Sequence, residues 1–336
     1  MRWQRILDVN LNRSTESLKF IEDYIRFSLE SNKLLCSIRK IRKDFLKVKK
    51  EIPLKDLVLY RKSEGDLGRP AEFDKKSTAE GRDLVVANMT RLKESSRTIE
   101  EILRLKNPHL SNKLKEIRFK IYDLEKALFQ LQRRNFNPQI YAILDERYLE
   151  IMPLKKLISI LQSWATMIQL RIKEKSDREF LNLAKRIREL IKKPTVKFII
   201  NNRVDITLLS NADGVHLGQT DIQVKEARKL LGDGYIIGAS VHNLMEAKRA
   251  QRDGADYLGV GAIYPTKTKA DALVCGLKRL NTICRAVKIP VVGIGGINNK
   301  NYQKVLNAGA AGVAVSSFIF EGNLEKNLKS LGIKKG

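Results

Sequence analysis

The chain contains two regions with different hydrophobic periodicity. Over residues 1–135, apolar residues recur every three or four positions, as at Leu18, Ile21 and Ile25, which is the spacing of amphipathic helices. From residue 136 onward, short apolar runs alternate with amphipathic stretches, which predicts strands alternating with helices. The pattern therefore predicts an all-α helical domain over 1–135 and an α/β domain over 136–336.

Eight apolar runs in the second region have the length of buried strands. They are Ile140–Leu144, Met167–Leu170, Val196–Ile200, Gly214–His216, Tyr235–Gly238, Tyr257–Val260, Val291–Ile294 and Gly312–Val315. Eight strand-plus-helix units in series predict a closed parallel (β/α)8 barrel, or TIM barrel. Because active sites in this fold lie at the carboxyl ends of the strands, the residues that follow each strand are the candidates for chemistry.

A predicted anion site lies at the end of the second strand. Gln169, Arg171 and Lys173 alternate with apolar residues there, so their side chains would project from one face. Together with Lys269, which follows the sixth strand, the cations would suit a diphosphate, and Asp221 after the fourth strand is a candidate ligand for its magnesium ion. The alternative for Arg171 and Lys173 is an ion pair with a neighbouring strand.

The loops after strands seven and eight are candidates for binding a phosphate monoester. Gly296 and its neighbours allow backbone N–H groups to approach phosphate oxygens, and Ser316 and Ser317 follow the last strand. Two phosphate sites at one barrel mouth predict two phosphorylated substrates that become joined. His216 and His242 are candidates for a general base, although structural histidines are common at strand ends.

The helical region contains an internal repeat and a long polar loop. Residues on one helical face recur 78 positions later, namely Asn10, Arg13 and Ser17 as Asn88, Arg91 and Ser95. Two such helices are expected to pair about a local two-fold axis and form a polar cleft. The alternative is exposed Arg–Glu pairs on solvated helices. The loop Tyr60–Ser77 is long enough to suggest a function.

The composition indicates which kinds of molecule the protein is expected to bind. The formal charge of +26 is spread over both regions of the 336-residue chain, and aromatic residues make up only 7%. This pattern favours phosphorylated small molecules over nucleic acid. We expect a cytoplasmic protein that does not enter membranes, because no apolar run of about 18 residues and no signal peptide is present. Three cysteines without CxxC spacing predict neither disulfides nor a zinc site.

The strand-end motifs, in this order, resemble the thiamine phosphate synthase family over residues 139 to 330. The matching residues are Gln169, Arg171, Lys173, Asn201, Gly218, Gln219, Asp221, Ser240, Thr266, Thr268, Lys269, Gly296 and Ser317. The resemblance implies condensation of hydroxymethylpyrimidine diphosphate with hydroxyethylthiazole phosphate to give thiamine phosphate and diphosphate. It also implies a dissociative mechanism assisted by Mg²⁺.

The resemblance assigns roles to individual residues. It implies that the pyrimidine diphosphate is held by Gln169, Arg171, Lys173, Asn201, Ser240 and Lys269, of which Arg171, Lys173 and Lys269 are the predicted catalytic residues. It implies that the thiazole phosphate is held by Thr266, Thr268, Gly296, Ser316 and Ser317. Asp221 and Asn202 are the implied metal ligands, and Asn202 replaces an aspartate of the family, which lowers the expected magnesium affinity.

The first region resembles a small helical domain that precedes some of these synthases. The residues that carry this resemblance are Arg5–Arg13, Tyr60, Arg61 and Asp66–Gly68. The resemblance implies phosphorylation of hydroxymethylpyrimidine phosphate, although neither a Walker loop nor a protein-kinase signature is present.

Two rival functions remain open at this point. One is a related thiazole tautomerase that uses His242 as proton carrier, against which the three predicted diphosphate-binding cations argue. The other is a non-catalytic module that binds partners or nucleic acid through its basic surface. A homo-oligomer is compatible with the sequence.

Overall fold

The computed structural model describes residues 3–29, 31–53, 57, 59–60, 81–134, 136–266 and 274–332. The chain divides into two compact units, residues 1–129 and 130–336. Most of the predicted functional loop Tyr60–Ser77 lies outside the described residues. Within the described ranges, no helix is both long enough and apolar enough to cross a membrane.

The first unit is helical, as its periodicity predicts. Its helices are α1 (Trp3–Tyr24), which continues as a short π-helix (Ile25–Leu29), α2 (Asn32–Lys50), α3 (Gly81–Lys106) and α4 (Pro108–Arg134), which runs into the second unit. Helices α1 and α3 pack against each other, and the hydroxyl groups of Ser14 and Ser95 are 2.7 Å apart at their buried contact. The two segments of the internal repeat therefore pair with each other.

Equivalent residues of the repeat make equivalent contacts. The side-chain amides of Asn10 and Asn88 each donate a hydrogen bond to the backbone carbonyl four residues earlier. Buried Glu22 accepts hydrogen bonds from two arginines of α2, and its repeat equivalent Glu100 accepts one from Arg118 of α4, at 2.8 Å. The buried acids of the repeat thus join α1 to α2 and α3 to α4.

The second unit is a closed barrel of eight parallel strands in sequential order. The strands are β1 (Ile140–Asp145), β2 (Met167–Arg171), β3 (Lys197–Asn201), β4 (Gly214–Leu217), β5 (Ile236–Val241), β6 (Tyr257–Val260), β7 (Val291–Ile294) and β8 (Gly312–Val315). The prediction of a TIM barrel is confirmed. The last three strands have the predicted bounds, whereas β5 extends three residues further because Ser240 and Val241 pair with β6.

Helices follow the strands around the barrel. They are α5 (Leu154–Trp164), α6 (Asp177–Leu190), α7 (Val204–Leu209), α8 (Val224–Leu231), α9 (Leu244–Arg252), α10 (Gly276–Ala286), α11 (Tyr302–Asn307), α12 (Ser317–Phe320) and α13 (Leu324–Lys329). Helix α6 shows how sequence sets a boundary, because Ser176 and Glu179 cap its first turn reciprocally.

Alternate residues of each strand point to opposite sides of the barrel wall. On β1, Ala142 and Leu144 belong to the core beneath the helices, whereas Tyr141 belongs to a smaller cluster inside the barrel. That inner cluster also contains Met167 and Tyr257. Side chains of alternate strand residues therefore fill the barrel interior.

Candidate active site

Arg171, at the end of β2, is paired with an acid on the neighbouring strand. One of its guanidinium nitrogens donates to a carboxylate oxygen of Asp145, which ends β1. Arg147 donates to the other oxygen of the same carboxylate at 2.8 Å. Burial alone would raise the pKa of Asp145, but hydrogen bonds from the two arginines outweigh it and lower that pKa. The ion pair left open by the sequence is therefore formed.

Arg171 and Lys173 line a cleft of about 590 Å³ beside the ends of β1 and β2. Its lining residues are Asp145, Glu146, Arg147, Arg171, Lys173, Glu174, Lys175 and Glu179. The four acids and four bases of this lining balance in formal charge. Lys173 itself lies beyond the strand, where its backbone N–H donates to Glu146 at 3.1 Å. The cleft thus contains anion-binding groups without a net positive lining.

Gln169 lies deeper, at one end of a chain of buried hydrogen bonds that crosses the barrel interior. Its amide nitrogen donates to the hydroxyl of Tyr141 at 2.5 Å, and that hydroxyl is 2.8 Å from the hydroxyl of Tyr257. The Tyr257 hydroxyl is 3.0 Å from Nδ1 of His216, whose Nε2 is 3.0 Å from the hydroxyl of Ser240. Two predicted pyrimidine-site residues, Gln169 and Ser240, are therefore linked through three residues between them.

The members of this chain are uncharged at neutral pH. Burial lowers the pKa of His216 to about 4. Burial likewise raises the pKa of both Tyr141 and Tyr257 above the ordinary value. His216 is thus a buried, hydrogen-bonded histidine, which is the structural alternative that the sequence left open, and a general base would require a more basic group.

His242, the second candidate base, lies on the surface. Its Nδ1 is 3.1 Å from a carboxylate oxygen of Glu246, one turn further along the chain. The same carboxylate accepts the backbone N–H of His242 at 2.7 Å. The acid therefore holds this histidine at the start of α9.

The predicted metal ligands lie in the loops after β3 and β4. Asn202 has a positive φ of 65° and its backbone N–H donates to the carbonyl of His216 at 2.9 Å. One carboxylate oxygen of Asp221 accepts the backbone N–H of Gly218 at 2.6 Å. An amide oxygen and a carboxylate oxygen suit Mg²⁺, which takes few protein ligands when substrate phosphates and water complete its shell. Among the described residues, no group of three or more His, Cys, Asp or Glu side chains forms a metal site.

Loops after β6, β7 and β8 contain the predicted thiazole phosphate residues. The backbone of Tyr264 donates to the carbonyl of Gly295 at 3.1 Å, so the first two loops run together. Gly296 has a φ of 65°, and a Cβ there would collide with Tyr264. The hydroxyl of Ser316 donates to the carbonyl of Ile143 at 3.0 Å, so its proton is already used.

The remaining predicted site residues lie at or beyond the ends of β3, β6 and β8 or outside the described residues. Asn201 ends β3 and pairs with His216, and Thr266 ends the described part of the β6 loop. Ser317 begins α12. Thr268 and Lys269 lie outside the described residues.

Comparison with known proteins identifies the family of both units. Residues 140–319 match the family described as thiamine monophosphate synthase, and residues 5–127 match the ThiD2 family. The chain is similar over 100% of its length to a protein of Prochlorococcus marinus subsp. pastoris named thiamine-phosphate synthase, with 35% identity and 95% of that protein covered. The chain belongs to the thiamine monophosphate synthase family.

Other relatives agree with this assignment. A Nostoc sp. protein, also named thiamine-phosphate synthase, is 35% identical over 93% of this chain and 88% of its own length. The solved structure of thiamine phosphate pyrophosphorylase from Pyrococcus furiosus has 38% identity and a TM-score of 0.53, and the match covers 60% of this chain and 96% of that one. The family assignment made from the strand-end motifs is confirmed, and this member of the family is a transferase.

Two groups of residues in this synthase-family barrel were missed by sequence reasoning. Asp145 is an acid at the carboxyl end of β1, directly after an apolar run. Its position at a strand end is therefore the signal that could have found it. Tyr141 and Tyr257 carried no such signal, because each lies within an apolar strand.

Proposed function

We propose that residues 136–336 condense hydroxymethylpyrimidine diphosphate with hydroxyethylthiazole phosphate, giving thiamine phosphate and diphosphate by a Mg²⁺-assisted dissociative substitution. The observation that carries the proposal is the position of Arg171 and Lys173 in one cleft at the carboxyl ends of the strands. The similarity to thiamine-phosphate synthases along the whole chain supports it.

Arg171 is proposed to bind the diphosphate while Asp145 holds it in place. The carboxylate engages one guanidinium nitrogen, and the other guanidinium N–H donors have no partner in the described part of the chain, so they are available to bind phosphate oxygens. Lys173 adds a second cation, and Lys269 a third. Because four acids offset the four bases that line the cleft, the negative charge of a departing diphosphate has to be balanced by Lys269 and Mg²⁺ as well.

The proposed reaction has two bond changes. The C–O bond between the pyrimidine methylene group and the diphosphate breaks, and the diphosphate takes the electron pair. The lone pair of the thiazole nitrogen then forms a bond to the methylene carbocation. Arg171, Lys173 and Lys269 stabilise the leaving group throughout. Asp221 and Asn202 would hold Mg²⁺, which would supply further positive charge to the leaving oxygens.

The remaining predicted residues are proposed to hold the substrates in line. Asn201, Gln169 and Ser240 bind the pyrimidine diphosphate together with the three cations. Thr266, Thr268, Gly296 and Ser317 bind the thiazole phosphate. Ser316, whose hydroxyl proton is used by the carbonyl of β1, contributes through its remaining lone pairs and backbone. The loops after β6 and β7 run together, which supports one shared phosphate site.

Residues 1–135 are proposed to phosphorylate hydroxymethylpyrimidine phosphate. The match of residues 5–127 to the ThiD2 family supports this role. The product would be the diphosphate that the barrel consumes, so the two domains would catalyse consecutive steps.

One assay tests both roles. The full chain is given the thiazole phosphate with either the pyrimidine diphosphate, or the pyrimidine monophosphate and ATP, and thiamine phosphate is measured. We expect product in both reactions. No product from the diphosphate would exclude the synthase role, and product from the diphosphate alone would exclude the kinase role. Isomerisation of the thiazole phosphate without condensation would instead support the tautomerase alternative.

A further inference from the structure

The hydrogen-bond chain from Gln169 to Ser240 joins two residues that we propose to bind the pyrimidine diphosphate. Its three inner members, Tyr141, Tyr257 and His216, have no place in the proposed reaction. They are all buried, whereas Ser240 is half-buried near the mouth. Each buried proton of such a chain needs an acceptor, and this requirement fixes which groups donate and which accept.

When the amide of Gln169 donates, only one direction gives every buried proton of the chain an acceptor. The hydroxyl of Tyr141 accepts that N–H, and Tyr257 is the one acceptor within hydrogen-bond distance of its own proton among the described residues. The proton of Tyr257 then goes to Nδ1 of His216, which must be the unprotonated nitrogen. In a neutral imidazole the other nitrogen carries the proton, so Nε2–H donates to Ser240.

This direction determines what the two ends offer to a ligand. Because the oxygen of Ser240 accepts from His216, its own hydroxyl proton stays available to an anion. The amide oxygen of Gln169 has no hydrogen-bond partner among the described residues, so it stays available as an acceptor. In the opposite direction the hydroxyl of Ser240 would donate its proton to His216. Only its oxygen lone pairs would then face the diphosphate, and these cannot bind it because the diphosphate is itself a hydrogen-bond acceptor.

The barrel interior is built around the rings of this chain. A Cβ at Gly238 would overlap the ring of Tyr257, and a Cβ at Gly259 would lie 3.0 Å from the ring of His216. The rings of His216 and Tyr257 are stacked, with centroids 5.5 Å apart, and Tyr141 meets Tyr257 edge-on. Two strands therefore lack side chains where the rings need space.

We propose that Tyr257 and His216 are positioning residues, which hold His216 as its Nε2–H tautomer so that Ser240 presents a proton, and Gln169 an acceptor, to the pyrimidine diphosphate. The proposal rests on the proposed function for the roles of Ser240 and Gln169. The tautomer itself is a property of the substrate-free protein.

Nitrogen NMR tests the tautomer directly. The chain has three histidines, His109, His216 and His242, so labelling histidine with ¹⁵N gives a small set of signals that His216→Gln assigns. We expect Nε2 of His216 to give the signal of a protonated nitrogen and Nδ1 that of an unprotonated one. The opposite tautomer in the wild-type protein would overturn the proposal.

Tyr257→Phe breaks the chain while keeping the ring. Without a donor at Nδ1, His216 should become a mixture of tautomers, and KM for the pyrimidine diphosphate should rise about tenfold while kcat changes less. The matched control is Tyr148→Phe, in a ring that stacks on Phe320 and whose hydroxyl makes no hydrogen bond among the described residues. It should alter neither measurement. An unchanged tautomer and KM in folded Tyr257→Phe would contradict the proposal.

A double-mutant cycle shows whether Tyr257 acts through Ser240. In a Ser240→Ala background, Tyr257→Phe should raise KM less than twofold further, because the hydroxyl that it positions is gone. A full tenfold rise in that background would refute transmission through Ser240. If the wild-type protein formed no thiamine phosphate, the proposed function would fail while the NMR result still decided the tautomer.

Discussion

The helical unit and the barrel both bury polar side chains, but they do so with different chemistry. In the helical unit, the acids Glu22 and Glu100 pair with arginines from the next helix. In the barrel, the chain from Gln169 to Ser240 is uncharged and ends near the mouth. The ion pairs join elements of structure, whereas the uncharged chain leaves groups available at its ends. These two buried clusters thus differ in role, because the ion pairs connect helices whereas the uncharged chain is proposed to serve ligand binding.

The two units also differ in whether their topology predicts the position of a functional site. A parallel barrel brings all eight strand ends to one mouth, so sequence order alone predicts which residues meet. Long helices offer no comparable end, and residues such as Asn10 and Asn88 satisfy their amides locally. The following predictions test this contrast, from the largest expected effect to the smallest.

Arg171→Ala should lower kcat/KM for the synthase reaction about 10³-fold, because it removes a fixed donor from the leaving group. Steady-state kinetics with the pyrimidine diphosphate measure the effect. Arg171→Lys should recover only part of the rate, since an ammonium group lacks the guanidinium fork. The control is Arg252→Ala, an exposed arginine of α9 that should leave the rate unchanged. A loss below tenfold in Arg171→Ala would contradict the proposed role.

Glu100→Gln should destabilise the helical unit by about 3 kcal/mol or more, because breaking a buried ion pair leaves a partner charge uncompensated. Glu100 is 1% exposed and Arg118 is 11% exposed at the side chain. Urea unfolding followed by circular dichroism measures the loss. Glu101→Gln is the matched control, since the neighbouring acid is 44% exposed and should cost less than about 1 kcal/mol. Equal effects of the two variants would show that burial is not the cause.

Acid should destabilise the barrel through His216. Its pKa in the folded protein is about 4, below the ordinary 6.5, so only the unfolded chain takes up this proton as the pH falls between those values. Stability should therefore decrease as the pH falls from 6.5 and level off below 4, with a total His216 contribution of about 3 kcal/mol. The difference in unfolding free energy between wild type and His216→Gln, measured across this range, isolates that contribution. A pH-independent difference would contradict the lowered pKa.

Asn202→Asp should lower the magnesium concentration needed for half-maximal synthase activity by several-fold, because a carboxylate adds charge to an oxygen ligand. The backbone tolerates the change, since Asp as well as Asn adopts a positive φ readily. Asp221→Asn should shift the requirement in the opposite direction. An unchanged requirement in Asn202→Asp would argue that this position is not a ligand.

The sequence predicted the barrel well because its signal is local. The bounds of β6, β7 and β8 follow directly from apolar runs between glycines and polar loops. Strand ends that depend on pairing with a neighbouring strand were harder to predict. Ser240 and Val241, for example, belong to β5 because they pair with β6. In the helical unit, the repeat indicated that α1 and α3 correspond, but the buried pairing of Ser14 with Ser95 follows from the packed helices.

The candidate site was predictable in part for the same reason. Arg171, Lys173 and Asp221 stand beside strand ends that the sequence marks. The bond between Tyr141 and Tyr257 joins residues 116 positions apart, and only closure of the barrel brings them together. The pairing of Arg171 with Asp145 likewise depends on the register of β1 with β2.

The glycine beside the ring of Tyr257 constrains redesign of the barrel interior. Because Gly238 leaves space that Tyr257 occupies, an alanine at 238 and a tyrosine at 257 exclude each other in this geometry. A library that varies position 238 alone would place every side chain against the ring of Tyr257, whereas a paired library with smaller residues at 257 would leave room for side chains at 238. Recoding the interior to accept a different heterocycle would therefore begin with these two positions changed together.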